Sequence, residues 1–236
     1  MTRSIWMPIS GASVPIQDSV VMARPGELAE VIAHVLGLPE QTVRQQAREL
    51  RDAGHMAKER AGRGAGTLTA QDAAALLLGA IGSLAVKDTP AIVDRYSNLP
   101  RFTLEETYDD DLYNDPAFNE FPLRMLPRQH RALDALRTII EGQIKIPSLF
   151  CIGGSFKRFI DNNGPEFDGI DLVIIVSHSN IPSLDIYLYK PKSTAMWIYR
   201  RNELIDNHTD YGKLGTTRSC SADVIIEIAN LLRGDT

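Results

Sequence analysis

Val43, Ala47 and Leu50 recur at the i, i+4, i+7 spacing of a helix with one buried side. That spacing turns Gln41, Thr42, Arg44, Gln45 and Arg48 outward. Their chemistry is directional hydrogen bonding. A guanidinium pairs with O6 and N7 of guanine, a carboxamide with N6 and N7 of adenine, and threonine offers a hydroxyl or a methyl. Arg51 continues the basic side, and Lys58, Arg60 and Arg63 follow around the glycine-rich AGRGAG. From Arg44 to Arg63 these six basic residues meet only Glu49, Asp52 and Glu59, in a chain of formal net charge -5. Local charge makes a contact, so that excess suits an anionic partner although the whole chain does not.

A second group of residues suggests metal-ion chemistry. In GGSFKRFIDNNGPEFDGIDLVIIV, Asp168 and Asp171 precede a strand-like run, and Asp185 follows in SLDIYLY. The Gly-Gly-Ser turn with these acids resembles nucleotidyltransferases of the polymerase-beta type, whose carboxylates converge on two metal ions. That family sets its first pair two residues apart, on one face of a strand. Asp168 and Asp171 are three apart and fall on opposite faces unless the chain bends at Gly169. Such an enzyme is therefore kept as an alternative. GRGAG is no phosphate loop, because no Gly-Lys-Ser/Thr follows it. The histidines at 34, 55, 130, 178 and 208 show no ligand spacing. Cys151 and Cys220 form no CxxC, which argues against a disulfide framework or a zinc site and for a reducing compartment. No catalytic residue, metal or cofactor is expected.

With 236 residues, 44% hydrophobic and 23% charged, the chain can bury a substantial core and has the composition of a globular protein. Its most apolar run, Ala73 to Val86, is interrupted by Gly79, Gly82 and Ser83 and is too short to cross a bilayer. Nothing near Met1 has the apolar core of a signal peptide, so a cytoplasmic location is expected.

The elements that must position these residues are mostly helical at first. Residues 1–24 lack periodicity and read as an arm. PGELAEVIAHVLG places Leu28, Val31, Ile32, Val35 and Leu36 on a helix that Gly37 ends, and Pro39 opens the next, which Gly54 stops. His55 to Arg60 and Thr67-Leu68 read as two short strands around AGRGAG. Thr69 and Asp72 form a capping arrangement for a helix burying Leu76, Leu77 and Ile81, and DTPAIVDRYSNL adds a short helix. Residues 100–122 carry seven acidic residues from Glu105 to Glu120 and read as an acidic linker. A helix is expected from Pro127 to about Gln143, then strands in SLFCIGG, GIDLVIIVSH, SLDIYLYKP and TAMWIYRRN. SADVIIEIANLLRG closes the chain as a helix capped at Ser219 or Ser221 and ended by Gly234.

Ala33, Gly37 and Val43 stand in the register of the helix-turn-helix: a small residue, a glycine four positions on, and a branched residue six further. The stretch therefore resembles the helix-turn-helix family of DNA-binding regulators. The basic glycine-rich segment behind it resembles the hairpin of the winged subclass. One departure is Gln46, where the pattern usually has an aliphatic residue. The order LGLPEQTVRQQARELRDAG, GRGAG and QDAA is also similar to bacterial and phage-type regulators, over about Glu27 to Tyr96.

The chain is expected to be α+β: the resemblance implies a winged helix-turn-helix unit over 25–99, and the strand pattern of 123–236 predicts a C-terminal antiparallel sheet with flanking helices, a part expected to oligomerise or sense an effector. Gln41, Thr42, Arg44 and Gln45 would contact bases in the major groove, with Arg48, Arg51, Lys58, Arg60 and Arg63 on the backbone. Double-stranded DNA is the expected partner, a homodimer the expected assembly and transcriptional regulation the expected role. A protein partner could be held by the C-terminal part. Besides the enzyme, a phage DNA-packaging or replication factor and a protein-interaction module are the alternatives.

Overall fold

A computed structural model describes residues 23–57, 68–107, 121–146, 149–150, 171–178, 182–190, 193–200 and 216–234. Among them the chain is α+β, with six α-helices and one five-stranded antiparallel sheet. The expected arm over 1–24 lies almost wholly outside these residues, as do Lys58, Arg60 and Arg63.

Helix α1 (Pro25–Leu36) begins with proline in its first turn, and the Glu27 carboxylate accepts a bond from the Arg24 amide at 2.7 Å. Gly37, at φ 64°, takes the left-handed conformation that lets the Leu38 amide reach the Ala33 carbonyl at 2.9 Å. The chain then enters α2 (Glu40–Asp52) directly. Gly54, at φ 85°, ends α2 in the same manner, with the His55 amide bonded to the Leu50 carbonyl at 2.8 Å.

Helix α3 (Ala70–Gly82) is apolar nearly all round, and every residue from Asp72 to Gly82 is buried. It touches α1, α2, α4 (Thr89–Ser97), α5 (Ala132–Lys145) and the sheet, which explains why it is not amphipathic. Its close approaches depend on glycine. A Cβ at Gly79 would lie 2.7 Å from Thr89 Cγ2 and 3.3 Å from Leu50 Cδ1.

The sheet runs β1 (Arg101–Thr107), β4 (Ser193–Arg200), β3 (Ser183–Lys190), β2 (Asp171–His178), β5 (Thr216–Ser221), with every pairing antiparallel. Alternation buries Leu172, Ile174 and Val176 of β2, Leu184, Ile186 and Leu188 of β3, and Ala195, Trp197 and Tyr199 of β4. Helix α6 (Ala222–Arg233) follows β5 at once, starts at Ser221 and ends at Gly234. It packs on α1 and α5, so the segments expected as separate units share one apolar core.

Two tyrosines tie the sheet to segments packed on it. Tyr96 of α4 donates its hydroxyl to the Ser177 carbonyl at 2.9 Å, so its oxygen accepts from His178 Nδ1 at 2.9 Å. In the neutral ring that leaves Nε2 of His178 without a proton, and it is buried with no partner among the described residues. At the other side of the sheet, His130 Nδ1 gives its proton to the Pro127 carbonyl at 2.7 Å, and Nε2 accepts from the Tyr199 hydroxyl at 2.7 Å. Burial is the main force lowering the pKa of both imidazoles; Arg218 and Arg95 add to it at His178. Burial likewise raises the Tyr96 phenol to about 12.

Several expectations need correction. Residues 101–107 of the acidic run are not linker but the edge strand β1, paired with β4 from Arg101 opposite Tyr199 to Thr107 opposite Thr194. Strand β5 was unanticipated. The expected helix from Pro127 begins only at Ala132, because Arg131 is extended and bridges to Pro100. Of the two strands expected around AGRGAG, His55 and Met56 lie in a bend and Ala57 and Leu68 are in no strand, while residues 58–60 and Thr67 fall outside the described residues. Phe150 of SLFCIGG also lies in a bend, and the remainder of that motif from Cys151 falls outside the described residues.

Candidate nucleic-acid interface

Helix arithmetic separates the two sides of α2. At about 100° per residue, Gln41, Arg44, Gln45 and Arg48 fall within an arc of about 100°, whereas Val43, Gln46, Ala47 and Leu50 cluster opposite. Gln41, Arg44, Gln45 and Arg48 are exposed, and Val43, Ala47 and Leu50 are at most 2% exposed. Thr42 and Arg51 stand at the margins and are half-buried. All six expected residues of α2 thus belong to its outer arc or its borders. The arc is about 10 Å long at 1.5 Å per residue. Helix α2 packs on α1, α3, α4 and the short 3-10 turn Val86–Asp88, and among the described residues its outer arc is left open.

The electrostatics of this surface are balanced. Within Glu40–Asp52, Arg44, Arg48 and Arg51 are offset by Glu40, Glu49 and Asp52. Arg44 bonds through Nε to Glu40, one turn earlier, and its Nη2 lies 3.9 Å from Glu30 Oε2 of α1. Its side chain remains 45% exposed. Arg48 stands 4.0 Å from Asp52, with both side chains more than 70% exposed, a pair worth well under ~1 kcal/mol. The positive excess of this region therefore comes from Lys58, Arg60 and Arg63, which lie outside the described residues.

The roots of that basic segment are held by one carboxylate. Asp72, 4% exposed, accepts from the Ala57 amide at 2.7 Å through Oδ1. Its Oδ2 accepts from the Thr69 amide at 2.9 Å and the Thr69 hydroxyl at 2.7 Å. Ala57 and Thr69 flank residues 58–67, so Asp72 joins both ends of the segment while capping α3. The sequence reading found the cap but missed the bond to Ala57, fifteen positions away.

Gln46 is the anomaly of α2. It is 2% exposed, and its Oε1 is buried without a hydrogen-bond partner among the described residues.

Two acids of the alternative site occupy different registers of the sheet. Asp185 pairs with Ile175 in β2, whereas Asp171 pairs with Tyr189. Four residues of strand, about 13 Å, therefore separate the two positions. Asp168 lies outside the described residues. Asp185 sits between Ile175 and Ile198, and burial raises its carboxyl pKa despite the nearby Ser183 and Arg200. No group of three or more His, Cys, Asp or Glu residues suited to a metal ion occurs among the described residues. Cys220 is buried and its thiol is pushed up to about 12, which suits packing and not nucleophilic attack. No described helix is long and apolar enough to cross a membrane.

Neither a protein-family model, a curated protein nor a solved structure matches this chain.

Proposed function

We propose that the protein is a sequence-specific binder of double-stranded DNA, a transcriptional regulator that reads the major groove with α2. What supports this reading is one observation: Gln41, Arg44, Gln45 and Arg48 share an open arc, while Val43, Ala47 and Leu50 fix the opposite side in the core. Planar donors on an exposed helix face can meet base edges in the major groove. A pair of helices joined at a left-handed glycine then serves as a helix-turn-helix, with Gln41, Thr42, Arg44 and Gln45 on bases. Arg48, Arg51, Lys58, Arg60 and Arg63 meet phosphate, the last three from the segment whose two flanking residues Asp72 holds.

One such reader covers a short site, so a homodimer on two half-sites is part of the proposal, with the C-terminal half as the assembly or effector unit. Selection of binding sites from a random duplex library with the purified protein tests the reading. Recovery of a common motif is expected, with salt-dependent affinity that falls on Lys58→Ala or Arg63→Ala. A recovered pool no richer in any sequence than the input defeats it and favours a protein-interaction module.

A further inference from the structure

Arg44 differs from its neighbours on α2 in being held at three points. Glu40 binds its Nε, Glu30 stands 3.9 Å from Nη2, and the guanidinium lies over Gly26 of α1. A Cβ at Gly26 would be 3.1 Å from Arg44 Nη1, and the three nearest atoms it would meet all belong to that guanidinium. The absence of a side chain at 26 therefore leaves room for the arginine to lie against α1.

We infer that Glu40 is a specificity-determining positioning residue, which fixes Arg44 so that the pair reads a single G·C base pair. The inference rests on the DNA-binding reading above. A guanidinium has one edge at Nε and a distal fork at Nη1 and Nη2. With Nε bound to Glu40, the fork alone is left to pair with guanine O6 and N7, which ties recognition to one geometry. Glu30 is the weaker tether: its side chain is 64% exposed and its distance is beyond hydrogen bonding, so it yields when a base arrives. Arg48, whose carboxylate partner is 4.0 Å away in open solvent, has no comparable anchor and is left to phosphate.

The test is site selection from a random duplex library, followed by affinity measurements on the selected site with each base pair changed in turn. Wild type, Glu40→Ala, Glu40→Gln, Arg44→Ala, the Glu40/Arg44 double alanine variant and Gly26→Leu are compared, with thermal unfolding of each as the control. Arg44→Ala and Glu40→Ala are expected to relax preference at the same base pair, each by about tenfold, with no further loss in the double variant. Glu40→Gln keeps most of the preference, because its amide oxygen still accepts from Nε. Gly26→Leu displaces the guanidinium and loses the same preference without lowering the melting temperature, since leucine favours a helix more than glycine does. A wild-type protein that selects no motif overturns the DNA reading and this inference together. A wild-type motif in which Arg44→Ala relaxes one position while Glu40→Ala relaxes none, or weakens all positions equally, overturns the inference alone.

Discussion

Replacing Asp72 separates hydrogen bonding from shape. Its carboxylate accepts from the Ala57 amide, the Thr69 amide and the Thr69 hydroxyl, all within 2.9 Å and at 4% exposure. Hydrogen bonds to a charged group contribute about 1.5–3 kcal/mol each, but part of that returns as the freed amides find water, so Asp72→Ala is expected to cost about 3–4 kcal/mol in all. At roughly 2–4 °C per kcal/mol for a chain of this size, the melting temperature falls by about 10 °C. Asp72→Asn is the sharper variant. Asparagine has nearly the same shape, yet its amide nitrogen must face either Ala57 N–H or the Thr69 donors, putting donor against donor. It should therefore lose about 2 kcal/mol or more, and the Ala57 amide should exchange with solvent far faster than in the wild type. Urea unfolding followed by circular dichroism, with hydrogen exchange read at Ala57, measures both effects. An Asp72→Asn protein within about 0.5 kcal/mol of wild type, with Ala57 still protected, would show that packing and not the carboxylate holds this junction.

Gln46→Leu should raise the urea midpoint with an unchanged slope, by about 1 kcal/mol, because it removes a buried carbonyl without a partner; a lower midpoint would mean Oε1 is satisfied. Gly79→Ala should destabilise by about 1–3 kcal/mol despite alanine's better helix propensity, since its Cβ would enter at 2.7 Å from Thr89; a stabilised variant would refute that packing. His130 and His178 have pKa values lowered on folding, so the unfolded chain binds more protons as pH drops below the ordinary 6.5, and stability is lost from there down towards the folded values. Melting temperatures between pH 7.5 and 5 should fall, and the His130→Gln/His178→Gln protein should show a shallower slope; an identical slope would assign the effect to other groups.

The sequence revealed best what depends on a regular period and a near neighbour. Val43, Ala47 and Leu50 announce the inner side of α2, and the same angles place Gln46 there, where the register of the resemblance had already marked it as an oddity. Gly37, Gly54 and Gly234 mark helix ends because each takes a positive φ. Strand β1 was hidden by charge: Glu105 and Glu106 made a paired edge look like a solvated linker. Strand β5 gave no signal, for TTRSCS is short and polar, and from Thr217 to Ser221 only Cys220 is well buried. Of the candidate surface, the outward residues of α2 could be read from spacing. The Glu30–Arg44 approach and the Ala57–Asp72 bond could not, because each joins residues whose separation in the chain follows no helical repeat.

Helix α3 has no side facing water, and its two flanks belong to different halves of the chain: α2 and α4 on one, α5 and the sheet on the other. A cut near Pro100 would strip one flank bare, so neither fragment would keep a complete interior. Helix α2 and the sheet should consequently melt as one cooperative unit, with α3 touching both.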